Sequence, residues 1–359
     1  MKTTLRYFKQ HAKDTAIRAA IITFICLVIV TMVAQGVNET YIRQKDFAEK
    51  YYNKEYYIAG DVDVYSWTLS PQIGWFVAIS AILTTLIPML ELSCFNNRKY
   101  LDSAFSFPIS RTSLISVNMI NGFMQFLAAY TVSFIWYTIA LLPCADKIGF
   151  GALWSFFFIS LLCSLFYYSV NAFFFSVCNS SVDGFLTAGA WQFIIAVTLL
   201  TFAEMFNLNI DSEILLTILW MPLVQICDYF SVISRGSSYQ PVPDLGTDNP
   251  YAMLIYLILV PLLTALFVAG LLWFFNKKRA ESAGEISNTP FSYVSLLPVG
   301  SFLLIYWAFE GAAAIIAIFA LIFSTVGYII YRRSVKLKVF DIVVIAACFI
   351  CFLMGLGAW

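Results

Sequence analysis

Apolar runs long enough to cross a bilayer recur along the chain, separated by polar segments several of which carry clustered Lys and Arg. A helix needs about 20 apolar residues to cross about 30 Å of hydrocarbon. That measure predicts spans near 17–37, 73–92, 115–142, 150–178, 184–206 and 251–275, then an apolar run at 294–331 and a last span at 339–358. As one helix the run 294–331 would be about 57 Å long, too long for a single crossing. Glu310-Gly311 interrupts it, which predicts a hairpin of two helices. The stretch Ile214–Cys227, between Glu213 and Asp228, poses the opposite problem. Fourteen residues make only about 21 Å of helix, and Pro222 interrupts them. A re-entrant or interfacial segment fits that length better than a span.

The positions of the cations test this division. With nine spans and the N-terminus inside, 15 of the 21 Lys and Arg residues fall on the inner side. The six outer ones are Arg43, Lys45, Lys50, Lys54, Lys147 and Arg235. This is the asymmetry that cytoplasmic loops of membrane proteins carry. Counting 214–227 as a span, or 294–331 as one helix, would move a basic cluster outside. The expected topology is therefore a multi-pass protein of the cell membrane with a cytoplasmic N-terminus and an extracellular C-terminus. The first apolar run lacks a small-residue cleavage site and reads as a retained signal anchor.

Composition agrees with this picture. Hydrophobic residues make up 61% of the 359 and charged residues 12%, against about 25% charged in soluble proteins. The formal net charge is zero, which argues against a nucleic-acid partner. No repeat of 20–50 residues and no inverted repeat is visible. The long outer segments are 38–72 and 207–250; the first carries Tyr51, Tyr52, Tyr56, Tyr57 and Trp67 among charges, a composition suited to the headgroup level or to a solvated loop.

Chemistry-bearing motifs are few. His11 is the sole histidine, leaving little room for His-based zinc chemistry or a Ser-His catalyst. The chain has no GxxxxGK[ST], HExxH or GxSxG motif. The eight cysteines lie mostly in apolar runs, where they read as small hydrophobes. Cys348-Phe-Ile-Cys351 has redox spacing without a basic neighbour to activate it. The carboxylates Glu91, Asp183, Glu204, Glu310 and Asp341 fall at span ends, where water solvates a charge at little cost. Asn118, Asn121, Gln125, Asn171 and Gln192 lie within spans and are expected to hydrogen-bond between helices.

Three inner-face features remain. Residues 5–14, Leu-Arg-Tyr-Phe-Lys-Gln-His-Ala-Lys-Asp, are basic on one side and aromatic on the other, a composition suited to the interface beside anionic lipid. The segment 96–114 is longer than a tight helix hairpin needs and carries a short amphipathic stretch ended by Pro108. The third, Asn276 to Glu285, is a basic segment after the sixth span.

Two of these carry a resemblance. Phe-Ser-Phe-Pro-Ile-Ser-Arg-Thr-Ser-Leu at 105–114, followed by Ser-Val-Asn-Met-Ile-Asn-Gly at 116–122, resembles the inner loop of bacterial type-2 ABC exporter permeases. Lys-Lys-Arg-Ala-Glu-Ser-Ala-Gly at 277–284 resembles the basic element that follows the sixth helix of that family. Phe107 stands where the family usually has Leu, and Asn118 where it usually has Lys. The resemblance covers about residues 1–290. It implies an all-α polytopic fold with an interfacial amphipathic helix at 1–16 and a six-span core at 17–290. That core would include an inner coupling loop at 93–114 and an outer loop at 207–250 with the re-entrant segment. Three additional spans at 291–359 exceed it.

The resemblance also implies a division of labour. This chain would be the permease and no enzyme, without a cofactor of its own, pairing with a second permease subunit in the lipid bilayer. ATP and Mg would bind a separate ABC ATPase subunit. Its coupling contacts would be Arg98, Lys99, Phe107, Pro108, Ser110 and Arg111, with a secondary inner-face contact at Lys277, Lys278, Arg279 and Glu281. Abundant aromatic and amide groups with few fixed charges point to an amphipathic substrate such as a peptide antibiotic, lipid or glycolipid. Two rivals stay open. A membrane transferase would show carboxylates, His or Arg clustered near one face, and a secondary transporter would show charges at mid-membrane or broken helices in related halves.

Overall fold

The structure, a computed structural model, describes residues 2–51, 63–106, 108–142, 150–205, 250–278, 283, 285, 289–310, 313–332 and 337–357. Most of these are helical, with no strand among the described residues. In chain order the helices are α1 (Lys2–Tyr51), α2 (Asp63–Leu92), α3 (Arg98–Ser106), α4 (Arg111–Ala140), α5 (Phe150–Val177), α6 (Ser181–Met205), α7 (Pro250–Lys277), α8 (Tyr293–Glu310), α9 (Ala313–Arg332) and α10 (Val339–Gly357). A 3-10 turn, Ser93–Asn96, joins α2 to α3.

Five helical stretches among the described residues are long and apolar enough to cross a membrane: Thr4–Glu39, Ala78–Asn96, Arg111–Ala140, Ser160–Val177 and Val260–Lys277. Shorter apolar stretches follow at Tyr293–Ile305, Ile318–Arg332 and Val339–Ile350. This architecture is compatible with a polytopic helical membrane protein. The apolar run 294–331 is indeed divided, α8 ending at Glu310 and α9 beginning at Ala313. The re-entrant segment 214–227 and the rest of 207–249 lie outside the described residues.

Two expected boundaries are different. The amphipathic start was expected to form a separate interfacial helix at 1–16, and 38–72 an outer loop. Instead α1 runs unbroken for 50 residues, about 75 Å. The junction Ala12-Lys-Asp-Thr-Ala-Ile-Arg-Ala-Ala20 holds no Gly or Pro, so nothing local stops the helix. After Gly36 the sequence again lacks a breaker as far as Tyr51, and α2 already begins at Asp63. Helix ends elsewhere follow ordinary capping chemistry. Asn97 Oδ1 accepts from Lys99 N at 3.0 Å before α3. Ser110 Oγ accepts from Ser113 N at 3.2 Å before α4, and Ser180 Oγ from Asp183 N at 3.0 Å before α6.

The chain divides into two compact units. The first holds α1, α2 through Glu91, α4, α5 through Ala172 and α7 through Trp273. Helix α1 packs along α4, burying Ile22, Cys26, Val30, Ala34 and Val37 at three- and four-residue spacing. Its interior is aromatic, with Phe76 edge-on to Tyr130, Phe134 and Tyr137. Hydroxyl pairs join helices there, Ser80 to Ser164 at 2.5 Å and Tyr130 to Ser160 at 2.7 Å. Asn171 Nδ2 donates to Thr84 O at 3.1 Å and Thr85 Oγ1 at 3.2 Å.

The second unit holds the 3-10 turn, α3, the last residues of α5 and α7, α6, and α8 to α10. Here α9 packs against both α8 and α10, and α8 also against α6 and α10. Gly327 of α9 admits Leu297 of α8 against its backbone, so a side chain at 327 would collide with that leucine. Arg332 closes this unit's C-terminal hairpin on Asp341 with two parallel bonds, Nε to Oδ2 at 2.9 Å and Nη2 to Oδ1 at 3.0 Å.

Candidate functional site

Two polar constellations stand out, one in each unit. In the first, Glu91 near the end of α2 is 2% exposed. Its Oε1 accepts from Asn121 Nδ2 at 3.1 Å and Gln125 Nε2 at 2.5 Å, both on α4, and from Arg18 Nη2 on α1. Oε2 lies 2.8 Å from His11 Nε2, also on α1. The partners are themselves tied together. Arg18 Nε donates to Gln125 Oε1 at 3.2 Å, and Asn121 Nδ2 to Thr15 Oγ1 at 2.9 Å. Tyr7 stacks on His11 with ring centroids 5.9 Å apart.

Gly122 makes this arrangement possible. A Cβ there would meet Glu91 Cγ at 2.8 Å and Ile87 Cγ2 at 3.3 Å, and would overlap the Tyr168 hydroxyl. That hydroxyl donates to Met119 O at 3.0 Å, bringing α5 against α4. A buried carboxylate is tolerated only when paired and hydrogen-bonded, and here both conditions hold.

The expectation that span-end carboxylates sit in cheap solvation is thus overturned for Glu91. It is overturned for Asp341 as well, which is buried on Arg332. Asp183 is partnered by the Tyr293 hydroxyl at 3.0 Å. The side chains of Glu204 and Glu310 lie outside those described. Asn121, Gln125 and Asn171 bond between helices as expected, whereas Asn118 Nδ2 donates within its own helix to Leu114 O at 2.9 Å.

The second constellation surrounds Lys278, just past the end of α7. Its ammonium donates to Cys178 O at 2.7 Å, Ser176 O at 3.2 Å and Asn96 Oδ1 at 3.1 Å. The first two acceptors are carbonyls at the C-terminal end of α5, where the helix dipole favours a cation. Burial pushes the Lys278 ammonium down to about 8, so it stays charged at neutral pH while it donates to these acceptors. Phe275 of α7 meets Phe95 and Phe105 edge-on, and Phe95 meets Tyr100. Helix α3 is therefore fastened at both ends to the last turn of α7.

The sequence-predicted contact residues fall out as follows. Arg98 and Lys99 are exposed on α3, and Pro108, Ser110 and Arg111 are exposed at the start of α4. Leu101 and Ala104 form the buried face of α3. In the basic segment after α7, Lys277 is exposed but Lys278 is 8% exposed. Lys278 thus belongs to the interior, because helix-end carbonyls draw it inward. Phe107, Arg279 and Glu281 lie outside the described residues. Sequence reading missed the Glu91 constellation; its signal was the set of polar positions His11, Thr15 and Arg18, spaced as one helix face.

Among the described residues no group of His, Cys, Asp and Glu could hold a metal ion. An apolar hollow of about 420 Å³ opens between α5 and α7 of the first unit, lined by Leu162, Leu165, Thr264, Ala265 and Val268 among others. Comparison with protein-family models, with curated proteins and with solved structures found no match to this chain.

Proposed function

We propose that the chain is the membrane permease subunit of an ATP-driven ABC exporter, working as a dimer with a separate ATPase subunit. The observation that carries this reading is α3. It is a nine-residue helix with an apolar face packed inward and Arg98, Lys99, Asp102, Ser103 and Ser106 turned outward. A short helix transmits a push only if it cannot slide on the body beneath it. The Phe95–Phe275 contact and the bonds from Lys278 to Asn96, Ser176 and Cys178 supply that fastening. A partner pressing on α3 would therefore move the ends of α5 and α7 with it. The exposed arginines suit bidentate bonds to carboxylates on such a partner. An amphipathic substrate (peptide antibiotic, lipid or glycolipid) fits walls that offer apolar hollows and buried hydroxyls with few fixed charges.

The test is co-purification of an ATPase with the full chain in mild detergent, followed by substrate-stimulated ATP hydrolysis. Arg111→Glu and Arg98→Glu, made separately, should each weaken ATPase retention about 30-fold, the consequence of losing one side of a docked charge pair. Lys338→Glu, an exposed cation outside this loop, should change retention little. Equal retention in all three variants removes the coupling role of 93–114. The buried Glu91 cluster favours one rival, a secondary transporter, since ionisable groups within spans often mark ion pathways. Transport that persists in vesicles without ATP and follows an imposed ion gradient would establish that rival.

A further inference from the structure

Helix α1 has one face fixed and another left over. Thr15, Ile22, Cys26, Val30, Ala34 and Val37 are buried, and the Glu91 cluster holds His11, Thr15 and Arg18 on that same side. The rotation of α1 about its axis is therefore set. At about 100° per residue, Arg6, Lys13, Ile17 and Phe24 lie within about 20° of the line opposite Thr15, and Lys9 within about 60°. All five are exposed, Ile17 at 74% and Phe24 at 66%. One continuous stripe thus changes from apolar, at Phe24 and Ile17, to basic, at Lys13, Lys9 and Arg6.

The change occurs over a distance that has a physical meaning. Lys13 lies about 6 Å below Ile17 along the axis, Lys9 about 12 Å and Arg6 about 16 Å. The headgroup layer on each side of a bilayer is about 5–7 Å thick, and Lys and Arg side chains bend back toward such a boundary. Screening beyond it acts over about 8–10 Å. If Ile17 and Phe24 face acyl chains, Lys13 stands in the phosphate layer and Lys9 and Arg6 within reach of its field. Of the nearby acids, Glu91 is engaged on the opposite face, and Asp14 accepts from Gln10 Nε2 at 3.2 Å.

We propose that Arg6, Lys9 and Lys13 form a binding surface for the headgroups of anionic phospholipid in the leaflet at the N-terminal end of the bundle. This does not depend on the exporter reading. The apolar stripe decides the occupant: a soluble acidic protein would meet the basic residues alone, whereas a lipid covers Ile17 and Phe24 with its acyl chains and the cations with its headgroup.

The experiment uses the full chain purified with an equimolar mixture of phosphatidylglycerol and phosphatidylcholine, with retained lipid counted by native mass spectrometry. Each cation near an anionic surface is worth about fivefold. Wild type should retain phosphatidylglycerol over phosphatidylcholine by at least fivefold at low salt, and less at high salt. Arg6→Gln/Lys9→Gln/Lys13→Gln should lose most of that preference with an unchanged melting temperature, since all three side chains are exposed. Arg6→Lys/Lys9→Arg/Lys13→Arg, which retains the charge, should restore it. Equal retention of the two lipids by wild type, or an undiminished preference in the Gln variant, overturns the proposal. So does a Gln variant with unchanged lipid preference that releases a co-purifying acidic protein, which would assign the stripe to a protein partner.

Discussion

Glu91 and Lys278 are both buried charges at the end of a membrane-compatible helix, yet they are held by different kinds of partner. Glu91 is bound by the side chains of Arg18, His11, Asn121 and Gln125. Lys278 is bound chiefly by main chain, the carbonyls of Ser176 and Cys178, with Asn96 as a third acceptor. The distinction matters when a partner is lost. Removing Glu91 leaves a guanidinium facing the space it occupied, and a charge without a counter-charge is costly. Removing Lys278 leaves neutral carbonyls at a helix end, which a water molecule or a local tightening of the last turn can satisfy. The first region is a mutual lock among α1, α2 and α4; the second is a cap that also ties α3 to α7.

The largest expected effect follows from that difference. Glu91→Gln should destabilise the chain in detergent by about 3 kcal/mol, the low end of the range for breaking a buried pair, because the Arg18 side chain is 29% exposed. Thermal unfolding of the purified chain measures this. The double variant Glu91→Gln/Arg18→Gln should be less damaging than the sum of the two single ones, since both charges leave together. Strict additivity would show that the two do not act as a pair. Gly122→Ala should cost about 1–3 kcal/mol through the same lock, its methyl group forcing Glu91 and Tyr168 apart. A Gly122→Ala chain as stable as wild type would mean that the crowding is relieved by movement of the Tyr168 ring alone.

How much of this could be read from the sequence differs between the two regions in the same way. Helix positions were legible because apolar length is a direct consequence of bilayer thickness, and the division of 294–331 into two helices was legible because the run was too long. The short helix at 98–106 was legible as an amphipathic stretch ended by Pro108. The unbroken α1 was not, because polarity changes at Ile17 while helix propensity does not. Nor was the Glu91 lock, whose partners lie 30, 34, 73 and 80 residues away. Lys278 was grouped with Lys277 and Arg279 as a surface cluster, since main-chain acceptors leave no trace in residue identity.

The Lys278 cap supplies a pH signature. Its ammonium is held at about 8 when folded, below its ordinary 10.5. Between those two values the unfolded chain keeps a proton that the folded chain has shed, so stability rises as pH climbs through the window. Below about pH 8 both states carry the proton and the dependence vanishes. Lys278→Met should flatten the rise between pH 8 and 10 and lower stability at pH 7 by about 1.5–3 kcal/mol, the scale for hydrogen bonds to a charged group. An unaltered slope in Lys278→Met would assign the titration to another group.

Asn96→Ala is the smallest change and the sharpest. It removes one acceptor from Lys278 and one donor to Ser181 Oγ at 3.2 Å, while the two carbonyls still hold the ammonium. Hydrogen bonds between membrane helices average about 0.6 kcal/mol, so the melting temperature should barely move. Asn96 sits at the end of the 3-10 turn that leads into α3, and it is a polar link between that turn and the end of α7. If α3 transmits the motion of a bound ATPase, loosening this link should lower substrate-stimulated hydrolysis severalfold while ATPase retention stays at the wild-type level, because Arg98, Lys99 and Arg111 are untouched. A stability-only role predicts the reverse pattern, with hydrolysis following the small loss of folded protein and nothing more. Measuring retention, hydrolysis and melting on one preparation separates the two, and hydrolysis at the wild-type level would show that the contacts of Phe275 with Phe95 and Phe105 are enough to fasten α3.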